Sequence, residues 1–297
     1  MSTSSSSPER EVPGSPLDFL NHFHLKDRVI LNSENITKAR EAVRALCEIP
    51  GLEGITIDIA HDFFFQADDL DEYEHAANFL LEAFLAGQHL VMTSKGNQYQ
   101  RMAVAKREIG LDAMRTNLGA AETYIRERKL TQVIPALRRF QGKYAVYIGE
   151  HAMARDYYQE AISMYEKEEN LVVRARRHEI SAFLSHSLIM MGEIEEAINL
   201  AFRAWNGFFI SEDGVELRKH DYYTWAIWAS AAPVNIWEGI LESEATIDIG
   251  TKKRLRTMLS EADKLLKFPN GKRVTDKDFR IRKGEIAQLR KRIRVKK

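Results

Sequence analysis

Glu72 and His75 in "DEYEH" are three residues apart, the spacing that turns a carboxylate and an imidazole toward one face of a helix. Such a pair is half of what a carboxylate-bridged two-metal site needs. His61, Asp62, Asp68 and Asp69 lie just before it and add further donors. The other half is a second Glu-x-x-His with two more bridging carboxylates, and the chain holds no second copy of the motif. Glu72 and His75 read instead as first-turn residues, where an acid favours the helix dipole. His22 and His24 form an isolated His-x-His, and His178 and His186 are eight residues apart, too far for the zinc-protease spacing. The phosphate-cradling glycine motifs and the Gly-x-Ser-x-Gly elbow are missing from the sequence. The one cysteine, Cys47, sits at the end of an apolar stripe and reads as a small core residue. These residues lead us to expect no catalysis, no resident metal and no cofactor. A metal-dependent enzyme built on Glu72 and His75 stands as an alternative.

Composition sets wider bounds. The chain has 297 residues, 44% of them apolar and 29% charged, with few glycines (16) and prolines (7). That balance fits a water-soluble helical protein better than a turn-rich sheet protein. A single cysteine permits no disulfide within the chain, so a reducing, cytoplasmic setting is expected. Residues 1–14, "MSTSSSSPEREVPG", are too polar for a core and should be disordered. No stretch has the apolar length of a membrane span. Net charge is zero but uneven: residues 45–94 carry ten acids and no Lys or Arg, whereas 251–297 carry 18 basic and 5 acidic residues. An acidic partner for the basic end follows as an expectation, with a nucleic-acid-associated protein as an alternative that is not favoured.

The elements that would position any site show a repeated pattern. Gly192, Gly149 and Asp71 are each followed at the fifth, ninth and twelfth positions by small or packing residues. These are Ala197, Ala201 and Ala204; Ala154, Tyr158 and Ala161; Ala76, Leu80 and Ala83. Separations of four and three place each trio on one helix face. Weaker copies run from Gly250 through Leu255, Leu259 and Ala262, and from Glu34 through Ala39, Val43 and Leu46. The starts are 37, 78, 43 and 58 residues apart, which points to a unit of about 40 residues with one decayed copy. Helices are expected at 33–48, 55–69, 71–86, 88–109, 111–128, 131–148, 150–168, 171–191, 193–208, 216–243 (broken or kinked at Pro233), 249–267 and 275–293, and no strand pattern persists.

Gly142, seven residues before Gly149 and followed by Ala154, Tyr158 and Ala161, resembles the tetratricopeptide repeat. The resemblance is fair over 135–167 and looser over 178–209 and 57–86; Ala145 stands where the first-helix Tyr belongs, and Arg138, Ser181 and Ala60 where the Trp belongs. It implies an all-α, right-handed solenoid of antiparallel helix pairs over 15–293, closed by a C-terminal capping helix. It also implies that first helices line a concave groove. That nominates His61 and Phe65, Arg139 and Lys143, and Ala182 and His186, with Asp69 and Tyr147 beside them. These are not the basic-plus-Asn set with which some family members clamp a chaperone terminus. The function implied is a non-catalytic scaffold that binds a protein or peptide. Lys143 is expected to be exposed, and the stripe of Ile286, Leu289 and Ile293 to pack on the 249–267 helix. The aromatic run Tyr222, Tyr223, Trp225, Trp228 and Trp237 reads as packing.

Overall fold

The computed structural model describes residues 39–44, 70–94, 100–267 and 279–295. They are all-helical, in antiparallel pairs, and fall into two compact units divided between Leu137 and Arg138. Residues 1–14 and Cys47, His22, His24, His61, Asp62, Phe65, Asp68 and Asp69 lie outside the described residues.

In the first unit, α1 (Leu70–Ser94) pairs with α2 (Gln100–Arg128). Each runs unbroken where the sequence led us to expect a stop, near Gly87 and Gly110. The reason is steric. A Cβ on Gly87 would lie 2.8 Å from Met114 Cγ and 2.9 Å from the Gly110 carbonyl oxygen; a Cβ on Gly110 would lie 2.7 Å from the Gly87 oxygen. The two glycines let the backbones touch rather than end the helices. Ala76, Leu80 and Ala83 are buried, as their spacing required, and so are Ala39 and Val43 of the helical segment 39–44.

Helix α3 (Ile134–Ile148) spans the boundary and leads into the second unit. It pairs with α4 (His151–Glu166) across Gly149. Gly149 has φ +85°; its N–H donates to the Val146 carbonyl and the Glu150 N–H to Ala145, which closes the end of α3. Gly142 faces the Tyr158 ring so closely that a Cβ there would run into it. After the short α5 (Leu171–Arg174), α6 (Arg176–Met190) pairs with α7 (Ile194–Ile210). The same closure recurs at Gly192, φ +84°, with Gly192 N–H donating to Ile189 and Glu193 N–H to Leu188. Ala154, Tyr158, Ala161, Ala197, Ala201 and Ala204 are all buried. The repeated motif is thus a helix-ending glycine followed by a helix with a small-residue contact face.

The long helix expected over 216–243 is three helices: α8 (Glu212–His220), α9 (Tyr222–Ala229) and α10 (Ala231–Ser243). Side-chain caps make two of the starts. Ser211 accepts from the Gly214 N–H and Asp221 from the Thr224 N–H. Pro233 breaks nothing, because it lies in the first turn of α10, where its missing N–H costs no helical bond. Trp225 and Trp237 are buried, their indole N–H groups donating to the carbonyls of Phe208 and Leu255. Helix α11 (Ile249–Leu265) buries Leu255, Leu259 and Ala262. Helix α12 (Arg280–Val295) buries Ile286, Leu289 and Ile293, with Phe279 just ahead of it. Its stripe seats mainly on α10 and only secondly on α11, a correction to the expected packing. The sequence stripe identifies the buried face but not which neighbour covers it.

Candidate functional site

Four helices of the second unit bring charged side chains into one partly buried cluster. Helix α3 supplies Arg139 and Lys143, four residues apart and so on one face. Arg139 donates two hydrogen bonds to Glu179 of α6, Nε to Oε2 at 3.0 Å and Nη2 to Oε1 at 2.7 Å. Burial works against both charges, and the pairing outweighs it: Glu179 is held below the usual carboxylate range and Arg139 above its own. Lys143 fares differently. Its Nζ lies 4.7 Å from the centre of the Phe183 ring and forms no ion pair among the described residues, although Glu179 and Glu285 are within electrostatic reach. Burial, and then the neighbouring Arg139 charge, push the amine down to about 7. Lys143 is therefore half-buried, not exposed as expected. It sits over an aromatic residue one helix away that its own segment does not reveal.

His186 of α6 is buried and lies 3.1 Å from Glu242 of α10 through Nε2, with the His151 ring 5.8 Å away. Burial and the nearby His186 lower the His151 pKa. One turn back on α10, Glu238 is half-buried without a hydrogen bond or ion pair among the described residues. Burial raises its pKa, and Glu285 of α12 adds to the effect. On α12, Arg282 and Glu285 pair with each other at 2.8 Å. Both lie within electrostatic reach of Lys143 and Glu238.

The structure thus groups Arg139 and Lys143 around Glu179 and Phe183. It seats His186 against Glu242, and leaves Tyr147 half-buried on the same helix as Arg139. Ala182 is buried. Sequence reasoning missed Glu179, Phe183, Glu238, Glu242, Arg282 and Glu285. A signal existed: Glu179, Phe183 and His186 follow a four-three spacing, which puts them on one face of α6.

A second constellation brings a serine, a histidine and an aspartate together. Ser211, His178 and Asp213 meet where α6 approaches the start of α8. His178 Nε2 is 3.1 Å from Ser211 Oγ and 3.3 Å from Asp213 Oδ1. A Ser-His-Asp relay needs the two ring nitrogens to face opposite partners. Here one nitrogen faces both, and Ser211 is engaged as the cap of α8. Asp213 is fully buried and accepts from Arg177 at 2.8 Å. Burial opposes its charge, but the bonds from His178, Arg177 and Ser211 hold the carboxyl far below the usual range. The group is a helix junction locked by charge.

Glu72 lies in the first turn of α1 and His75 is half-buried in it. Among the described residues no three His, Cys, Asp or Glu side chains converge as metal ligands do, and no helix is long and apolar enough to cross a membrane. No protein-family model matches the chain, and no curated protein matches it.

Proposed function

We propose that the chain is a non-catalytic, tetratricopeptide-like solenoid that binds a protein or peptide segment along the inner face of its helix pairs. Two successive pairs, α3–α4 and α6–α7, share a glycine closure and a small-residue contact face, which is how stacked hairpins bury surfaces that neither could bury alone. The observation that carries the reading is the line of Arg139, Lys143, Phe183 and His186 on α3 and α6. A row of fixed charges and an aromatic ring suits an extended or helical segment of mixed charge. We place this work in the cytoplasm, on the single cysteine. The test is a photo-crosslinking amino acid at Tyr147, with the exposed Asp156 on α4 as control. A defined adduct from position 147 and none from 156 is expected. Equal labelling from both, or none from either, overturns the reading.

A second reading has its own observation. Lys253, Arg254, Arg256, Arg280, Lys291 and Arg292 are exposed on α11 and α12, a basic surface that phosphates would find attractive.

A further inference from the structure

We propose that His151 and His186 form a two-imidazole site for a divalent transition-metal ion of the zinc class, with Glu242 as the residue that positions His186. The site does not depend on the groove reading above.

Helix α6 packs against both α4 and α10, and His186 meets a residue of each. From α10, Glu242 Oε2 lies 3.1 Å from His186 Nε2, and a Cβ on Gly239 would lie 3.4 Å from His186 Cδ2. Helix α10 thus covers the Nε2–Cδ2 edge of the ring. Nδ1 is the ring atom opposite that edge, so it points away from α10. A neutral imidazole beside a carboxylate keeps its proton on the nearer nitrogen; Nε2–H donates to Glu242 and Nδ1 keeps a lone pair. His186 is only 7% exposed, and its Nδ1 is buried with no hydrogen-bond partner among the described residues. His151, the first residue of α4, has the same deficit at its own Nδ1. The two ring centres are 5.8 Å apart. Buried polar atoms left without a partner are costly, and one cation that accepts both lone pairs removes both costs.

The spacing suits such an ion. Bound at about 2.0–2.1 Å by one nitrogen of each ring, it would lie about 3.2 Å from each ring centre, so the centres could be at most about 6.4 Å apart. A tetrahedral angle needs about 5.2 Å, which a small rotation of the half-buried His151 supplies. Glu242 behind His186 is the arrangement that fixes the tautomer of a metal-binding histidine and raises its basicity. Burial and the His186 ring lower the His151 pKa, which keeps its lone pair available at neutral pH. Imidazole donors favour zinc, copper or nickel over calcium or magnesium. No third His, Cys, Asp or Glu among the described residues completes a three-ligand set, so water fills the other positions and the ion exchanges with solution.

The test is calorimetric titration of the full chain, stripped of metal by a chelator, with Zn²⁺ at about pH 7.5. One ion should bind with micromolar affinity. His151→Ala should abolish that event, and Glu242→Gln should weaken it about tenfold without moving the melting curve recorded in chelator. A His22→Ala/His24→Ala double variant, which removes the His-x-His pair near the N-terminus, should keep it. A second measurement needs no variant to fold: Zn²⁺ should shift the imidazole ¹⁵N resonances of His151 and His186 together, at Nδ1. No saturable binding by about 0.1 mM Zn²⁺, binding that survives in His151→Ala, or shifts confined to other histidines overturns the proposal, and a water then fills the gap between the rings. None of these outcomes bears on crosslinking through position 147, so the site and the groove reading stand or fall separately.

Discussion

Asp213 and Lys143 show how one physical situation, a charge removed from water, gives opposite outcomes. Asp213 is surrounded by donors, so its charged form is favoured. Its stability contribution is complete above the unfolded value of 3.8 and is lost as pH falls below it toward the much lower folded value. Lys143 lies over the face of a ring and beside the Arg139 charge, with no ion pair among the described residues. Its folded value of about 7 lies under the unfolded 10.5, so between those limits the unfolded chain binds more protons and stability rises with pH. Two substitutions separate the cases. Asp213→Asn should cost about 2 kcal/mol at pH 7, and the gap from the natural protein should close as pH drops below about 3.8. Lys143→Met should stabilise by about 1 kcal/mol at pH 6, because it removes a partly buried unpaired amine, and the gain should shrink from about 7 toward 10.5. Urea midpoints across pH check both; a Lys143→Met variant less stable than the natural protein at pH 6 would mean that the amine has a partner.

At the scale of the helix, glycine carries two meanings that sequence spacing alone does not separate. Gly149 and Gly192 end helices in the left-handed conformation, whereas Gly87 and Gly110 lie inside helices at a backbone contact. Gly119 is a third case: it is in α2, and a Cβ added to it would have nothing within 4 Å. Substitution by alanine should therefore split within one helix. Gly110→Ala forces a Cβ onto the Gly87 carbonyl and should destabilise by about 2 kcal/mol. Gly119→Ala should stabilise by about 0.5–1 kcal/mol, through helix propensity alone. Thermal melts that move in the same direction for both would contradict the crossing. The same ambiguity marks the limit of what the sequence discloses. The trios led by Ala76, Ala154 and Ala197 are legible because a contact face repeats every three to four residues within one segment. The breaks expected at 86–88 and 109–111 do not exist, because a glycine that meets another helix looks in sequence like one that meets solvent. The cap Asp221 hides inside a run that reads as continuous helix, whereas Ser211 falls between the expected helices 193–208 and 216–243. In the site, Arg139, Lys143 and His186 are nominated by the positions that the tetratricopeptide resemblance gives to first-helix residues. Glu238 and Glu285 are not, because only tertiary packing brings α10 and α12 beside them.

The whole chain carries no net charge yet is strongly segregated along its length, and the described structure shows how the basic part is held. Apolar burial of Ile286, Leu289 and Ile293 seats α12, and its pair with α11, Arg290 to Asp263 at 2.8 Å, is more than a third exposed on both sides. Exposed pairs of this kind contribute little and are screened by salt, whereas apolar contacts are not. Some of the basic surface is already engaged: Arg254 lies 4.1 Å over the Phe202 ring. Lys253, Arg256, Lys291, Arg292 and Arg294 remain exposed. Any acidic partner or polyanion must therefore be held by charges that play no part in keeping α12 in place. Salt should pull the two apart. Raising ionic strength from about 0.05 to about 0.5 M should release a bound polyanion such as heparin, with an affinity that falls linearly in the logarithm of salt, while exchange protection of α12 stays unchanged. Loss of that protection over the same range would show that charge, and not its apolar stripe, fixes the helix. Heparin binding that persists at the upper limit would require contacts beyond these side chains and would favour the nucleic-acid reading over the scaffold.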